Sequence, residues 1–126
     1  MKRLILIICL SLLSCSVFAQ RSVEIHLWPD GAPDSNGITD PEGRNAQNRV
    51  INVTYPTITV YPASKPNGQA VIMCPGGGYA FLSIDHEGHD MAYWFNNQGI
   101  TYIVLKYRMP NGNMGVVVND IHQAIR

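Results

Sequence analysis

The residues best suited to chemistry are Cys74-Pro75-Gly76-Gly77-Gly78-Tyr79. The three consecutive glycines carry no Cβ, so the backbone there can pass through positive φ and approach a ligand closely. Amide N–H groups held that way can point at one oxygen. Such donors stabilise the oxyanion formed when an ester carbonyl becomes tetrahedral. A plain tight turn and a phosphate cradle are the rival readings. A P-loop ends in Lys followed by Ser or Thr, and a dinucleotide fingerprint needs G-x-G-x-x-G with a later acid. Neither spacing surrounds Gly76-Gly77-Gly78.

A second concentration of reactive groups is Asp85, His86, Glu87, His89 and Asp90. His86 and His89 stand three apart, so a helix would bring them to one face. Zinc asks for three or four convergent ligands of known spacing. The favoured reading is therefore polar residues at a helix N-terminus near a site mouth, with no metal and no cofactor expected. Cys74 would need an electropositive, partly open setting to serve as a nucleophile with His86 or His122. Its expected role is a small apolar residue ending a buried strand.

Regular elements must hold these groups. From Gln20 to about Asn48 the chain is polar, with turns at Trp28-Pro29-Asp30-Gly31-Ala32-Pro33 and Thr39-Asp40-Pro41-Glu42-Gly43. Arg49 to Tyr61 is rich in Val, Ile, Thr and Tyr. Ile58 and Val60 alternate there with Thr57 and Thr59, as in a half-buried strand with Pro56 at its start. Ala70 to Cys74 is a short continuous apolar run, which suits a strand buried on both faces. Glu87 to Gln98 has helical spacing through Met91, Ala92, Trp94 and Phe95, with Trp94 and Phe95 expected in the core and Gly99 as a left-handed cap. Ile100 to Tyr107 reads as another buried strand, and Val117, Ile121, Ala124 and Ile125 recur at helical spacing. Strands alternating with helices predict parallel β-α-β units, and right-handed crossovers place the Ala70 and Ile100 strands in one sheet. The fold class expected is α/β with a mostly parallel sheet. It is expected to be incomplete, because so few strands cover their own faces poorly and Arg126 falls inside a predicted helix.

The chain has 126 residues, enough for one small domain. Its 46% hydrophobic and 14% charged residues form an ordinary globular balance that excludes disorder. A net charge of zero provides no electrostatic footprint for nucleic acid. Lys2 and Arg3, the apolar run Leu4 to Leu13, and Ser16-Val17-Phe18-Ala19 before Gln20 have the pattern of a secretory signal peptide. The run is too short for a comfortable membrane span, so no membrane partner is expected beyond export. Leu12-Leu13-Ser14-Cys15 loosely matches a lipobox, and a lipid anchor on Cys15 is the competing reading. A retained anchor helix is a third reading. The product expected is an exported one, in the periplasm or the medium. Cleavage before Gln20 leaves seven basic and nine acidic residues, a net charge of −2. It also removes Cys9 and Cys15, so Cys74 has no disulfide partner within the chain.

Several pieces carry a family resemblance: Pro75-Gly76-Gly77-Gly78-Tyr79, Asp85-His86-Glu87-Gly88, Gly99-Ile100, Val104-Leu105-Lys106-Tyr107-Arg108 and Asp120-Ile121-His122-Gln123-Ala124-Ile125-Arg126. Leu27-Trp28-Pro29-Asp30-Gly31-Ala32-Pro33 adds to them. Together they resemble secreted bacterial α/β-hydrolases of the carbohydrate-esterase kind, including acetyl xylan esterase-like proteins. The resemblance implies the N-terminal half of a three-layer α/β-hydrolase fold. It divides the chain into a signal peptide (1–19), a loop-rich segment (20–48) and a partial hydrolase domain (49–126). By position, the oxyanion donors would be the backbone N–H groups of Gly77 and Gly78. Gly76 would shape the turn and Tyr79 would line the acyl pocket. Glu87-Gly88 would begin the following helix, where an acid suits the dipole, and Lys106-Tyr107-Arg108 would close the next strand. Pro75 stands where lipase-like members have histidine.

One departure qualifies the match. Such enzymes carry the nucleophile on a G-x-S-x-G elbow after the next strand, then an acid, then histidine. This chain has no such motif. The implied function is a serine-type carboxylic-ester hydrolase acting on a small-molecule or polysaccharide ester, with this chain supplying the oxyanion loop but no triad and inactive alone. The alternatives are a non-catalytic truncated remnant, a peptidase- or lipase-like member of the same fold, and a binding protein that keeps the glycine loop as an anion nest.

Overall fold

A computed structural model describes residues 21–126. The expected signal peptide, with Cys9 and Cys15, lies outside the described residues. In chain order the strands are β1 (Val23–His26), β2 (Gly43–Arg44), β3 (Val50–Ile51), β4 (Thr57–Tyr61), β5 (Ala70–Met73) and β6 (Thr101–Lys106). The α-helices are α1 (Ala92–Asn97) and α2 (Met114–Ile125).

β6 is the spine of the main sheet, whose strand order is β1-β4-β6-β5. Its run of Thr, Tyr, Ile, Val and Leu favours the pleated conformation, and Tyr102, Val104 and Leu105 are fully buried. On one side it pairs antiparallel with β4, from Thr57 opposite Lys106 to Tyr61 opposite Tyr102. On the other it pairs parallel with β5, from Ala70 opposite Thr101 to Met73 opposite Val104. Among the described residues β5 therefore lies at an edge with one strand neighbour. That explains why Val71, Ile72 and Met73 are only half-buried, against the expectation of a strand covered on both faces.

The segment 21–48 contributes more than turns. β1 pairs antiparallel with the outer edge of β4, and β2 forms a small ribbon with β3. Every residue of β1 is exposed, Val23 and Ile25 by about half, so it is held by backbone pairing rather than by a buried face. Asn36 fastens the following loop, donating through Nδ2 to the carbonyls of Val53 at 2.9 Å and Met109 at 2.8 Å.

The helix expected from Glu87 is shorter than its periodicity suggests. The chain passes first through a single π turn, Ile84–Gly88, and a 3-10 turn, His89–Met91. Gly88 is the cause. A Cβ there would stand 2.8 Å from Val104 Cγ1, and at φ −117, ψ −90 the residue leaves the helical region. The far end of α1 behaves as expected. Gly99 has φ +76. Its N–H donates to Asn96 at 3.0 Å while that of Ile100 reaches back to Phe95 at 3.1 Å, the paired bonds of a Schellman end. Ala92 and Phe95 face inward, and Phe95 stacks on Tyr102 with ring centres 4.6 Å apart. Trp94 was expected in the core but is 57% exposed. It stands one position from Phe95, about 100° around the helix, and meets it edge-on at 4.9 Å.

α2 begins at Asn113, whose side chain accepts from the Gly115 N–H. It buries Val116, Val117 and Asp120. Arg108, just past β6, is 2% exposed and Asp120 is 0% exposed. The guanidinium grips the carboxylate as a fork, Nε to Oδ2 at 3.0 Å and Nη2 to Oδ1 at 2.8 Å. The Arg108 backbone N–H adds a third bond to Oδ2 at 3.0 Å, and Nη1 donates to the Asp34 carbonyl. Trp28 Nε1 completes the carboxylate's shell at 2.8 Å. Breaking a buried pair by removing one partner strands a charge, at a cost of about 3–5 kcal/mol. Asp120→Ala is therefore expected to destabilise the chain by that amount. Urea unfolding measures it, and a loss below about 1 kcal/mol would contradict the importance of this pair.

Candidate functional site

The glycine loop leaves the C-terminal end of β5 and turns sharply. Gly77 has φ +148, Gly78 +59 and Tyr79 +64. A Cβ on Gly77 would lie 1.9 Å from the Phe81 carbonyl oxygen, so no side chain fits there. At Gly78 nothing lies within 4 Å, and only the backbone angle demands glycine. The Gly77 carbonyl accepts from Ala80 N–H at 3.1 Å, and the Gly76 carbonyl from Ser83 N–H at 2.9 Å. Among the described residues, the N–H groups of Gly77 and Gly78 donate to nothing. Both glycines line an open cleft of about 360 Å³, shared with Cys74, Tyr79, Tyr107 and Val117. Tyr79 is 50% exposed. A bulky residue in the left-handed region carries strain of roughly 1–2 kcal/mol, and here that strain sits in the turn that presents the two glycines.

Gly76 behaves differently from its neighbours. Its N–H donates to Glu87 Oε2 at 2.7 Å. One atom away along the chain, the Pro75 carbonyl accepts from Tyr107 Oη at 2.7 Å. Glu87 thus lies in the π turn and reaches the loop, instead of opening α1 as the sequence suggested. Burial, reinforced by Tyr79, Cys74 and Glu87 nearby, pushes the Tyr107 phenol up to about 12, so it stays a donor at neutral pH. The roles of Glu87 and Tyr107 escape sequence reasoning, because no spacing rule brings a side chain back onto an amide eleven residues earlier.

The polar cluster after the loop does not converge. Asp85 pairs with Arg44, and Nη2 to Oδ1 is 3.1 Å. The Arg44 hydrogen bond holds its carboxyl below the usual carboxylate range. His89 Nδ1 shares a hydrogen bond with Tyr61 Oη at 2.8 Å, and His86 is exposed. No three His, Cys, Asp or Glu side chains among the described residues gather where an ion could sit. Cys74 is exposed rather than closing a buried strand. Its partly desolvated thiol is nevertheless pushed up by burial, and it makes no hydrogen bond to a histidine among the described residues. That is the opposite of the setting a reactive thiolate needs. A second cleft, about 340 Å³ and polar, lies by Glu24, Arg44, His89 and Lys106. Two of its cations are already paired, Arg44 with Asp85 and Lys106 with Glu42, whose Oε1 lies 2.7 Å from Nζ.

The chain matches no family model. Over 61 residues, 48% of its length, it is 46% identical to an acetylxylan esterase from Xylanibacter ruminicola. The matched stretch is 13% of that protein. The resemblance to this esterase is thus real but partial, and this chain spans a small fraction of the relative's length.

Gly77→Ala is expected to cost about 2 kcal/mol or more, because both φ and the Phe81 carbonyl oppose it. Gly78→Asn should cost less than about 1 kcal/mol, since asparagine tolerates the left-handed region. Denaturant unfolding of the two variants compares them directly, and equal losses would contradict the geometry. Burial, the largest influence, holds the His89 imidazole below its ordinary 6.5. The unfolded chain therefore takes up this proton more readily than the folded one. The contribution is present above the unfolded value and is lost as pH falls towards the lower folded value. Unfolding free energies measured from about pH 7.5 to about pH 5.5 should decline, and His89→Gln should flatten the decline.

Proposed function

We propose that this chain is the oxyanion-loop portion of a serine-type α/β-hydrolase that cleaves carboxylic esters, with acetyl groups on a polysaccharide as the substrate class. The observation that carries the reading is the pair of undonated N–H groups on Gly77 and Gly78 beside a cleft, at the end of a parallel strand. Two preorganised donors in that position lower the barrier to acyl transfer by holding the developing negative charge. Gly76 and Pro75 shape the turn, and Tyr79 forms part of the wall against which the acyl group rests. The partial match to an acetylxylan esterase supports the ester and polysaccharide assignment. The parallel pairing of β5 with β6 around α1 supports the α/β-hydrolase frame. Nucleophile, acid and histidine come from sequence outside this chain, because an oxyanion site acts only together with them. The product is exported, on the pattern of residues 1–19.

Methylphosphonate carries a charged tetrahedral oxygen set and so mimics the oxyanion. In the nitrogen-15 spectrum of the chain, millimolar methylphosphonate is expected to shift the Gly77 and Gly78 amides and leave Gly76 in place. No shift at either glycine would overturn the assignment of the donors. For the whole reading, the coding sequence beyond the Arg126 codon should contain G-x-S-x-G, an acid and a histidine in that order. The longer product should release acetate from acetylated xylan, whereas the 126-residue chain should show no saturable turnover.

A further inference from the structure

We infer that Glu87 and Tyr107 are positioning residues that clamp the Pro75–Gly76 peptide plane and so decide which loop amides face the cleft. The inference rests on the oxyanion reading of Gly77 and Gly78. Tyr107 Oη donates to the Pro75 carbonyl at 2.7 Å, and the Gly76 N–H donates to Glu87 Oε2 at 2.7 Å. These two backbone groups belong to one peptide unit. A trans peptide points its C=O and N–H in opposite directions, so the two side chains hold the plane from opposite sides. One comes from the end of β6, the other from the turn Ile84–Gly88.

Both jaws are themselves anchored. Tyr107 is buried, and the amide that follows it, that of Arg108, is tied to Asp120 at 3.0 Å. The Glu87 N–H is bound to the Ser83 carbonyl at 2.9 Å, and the Ser83 N–H returns to the Gly76 carbonyl at 2.9 Å. A clamp is needed because glycine has no Cβ to oppose a peptide flip. If the plane turned over, the Pro75 carbonyl and the Gly76 N–H would exchange directions, and the Ser83 bond to the Gly76 carbonyl would be left to hold the Gly77 amide alone. The carboxylate has a second effect. It occupies the first of the three glycine amides and places a negative charge beside it. An anion attracted to the loop is thereby moved one residue on, to Gly77 and Gly78.

Hydrogen exchange of the full chain, read by nitrogen-15 NMR, tests the clamp. Gly76 should exchange about tenfold or more slowly than Gly77 and Gly78. Glu87→Ala should abolish that difference and split the Gly77 and Gly78 signals into two conformers. Glu87→Gln keeps an acceptor oxygen and should restore one conformer. Tyr107→Phe should split the same signals. The Val104 and Leu105 amides report general loosening and should not change in the Glu87 variants. Equal exchange of all three glycines in the unaltered chain overturns the clamp, and so do Gly77 and Gly78 signals unmoved by Glu87→Ala. Should Tyr107→Phe fail to fold, the two variants at exposed Glu87 decide alone. Clamp signals without a methylphosphonate shift would remove the oxyanion reading and keep the clamp, while the shift without clamp signals would do the reverse.

Discussion

Burying an arginine obliges its surroundings to supply acceptors for a charged group with several donors, and Arg108 obtains them from distant parts of the chain. Asp120 of α2 gives both carboxylate oxygens. Asp34, in the loop after β1, gives its carbonyl. Trp28 shares the same carboxylate. Desolvating a guanidinium is costly unless every contact is in place, so the pair forms only when these segments meet. Among the described residues no buried side-chain nitrogen or oxygen lacks a partner. The N-terminal segment is thereby part of the folded unit despite its exposed strand. Because Arg108 adjoins Tyr107, the same pair also fixes where the phenol stands against Pro75.

The loop itself combines freedom with restraint. Glycines let the backbone take angles closed to other residues, and the surroundings then remove most of that liberty. Phe81 presses on Gly77, Ser83 holds the Gly76 carbonyl, and Gly88 lets the returning turn pack directly against Val104. The Tyr102 hydroxyl donates to the Gly88 carbonyl at 3.0 Å, stitching that turn to β6. A rigid surround of this kind is what an electrostatic site requires, since donors that must reorganise during reaction lose most of their advantage.

Much of this could be seen in the sequence, in proportion to how local its cause is. β6 and the Gly99 helix end were legible because an apolar run and a lone glycine act through their own chemistry. The glycine loop was legible for the same reason. β1 was not, since Val23 and Ile25 stay exposed and the strand exists through its backbone partner. The late start of α1 was hidden because it arises from the meeting of Gly88 with Val104, a contact between distant residues. Trp94 was misplaced because hydrophobicity does not reveal which of two adjacent aromatic residues turns inward. Asp85 and His89 looked like one cluster on paper, yet Arg44 and Tyr61 draw them to different partners. Which of the three glycine amides stays undonated depends on where Glu87 lands, and periodicity carries no trace of that.

The position of β5 reaches beyond geometry. Its outer side presents backbone donors and acceptors from Ala70, Val71, Ile72 and Met73, a stretch with no charge and no proline. Proteins usually guard such a rim with lysine, proline or a bulge. Among the described residues no strand pairs with this rim, and it adjoins the glycine loop. Any strand that pairs with it binds the folded chain and not the unfolded one. By mass action, the stability of this chain then depends on how much of that strand is at hand.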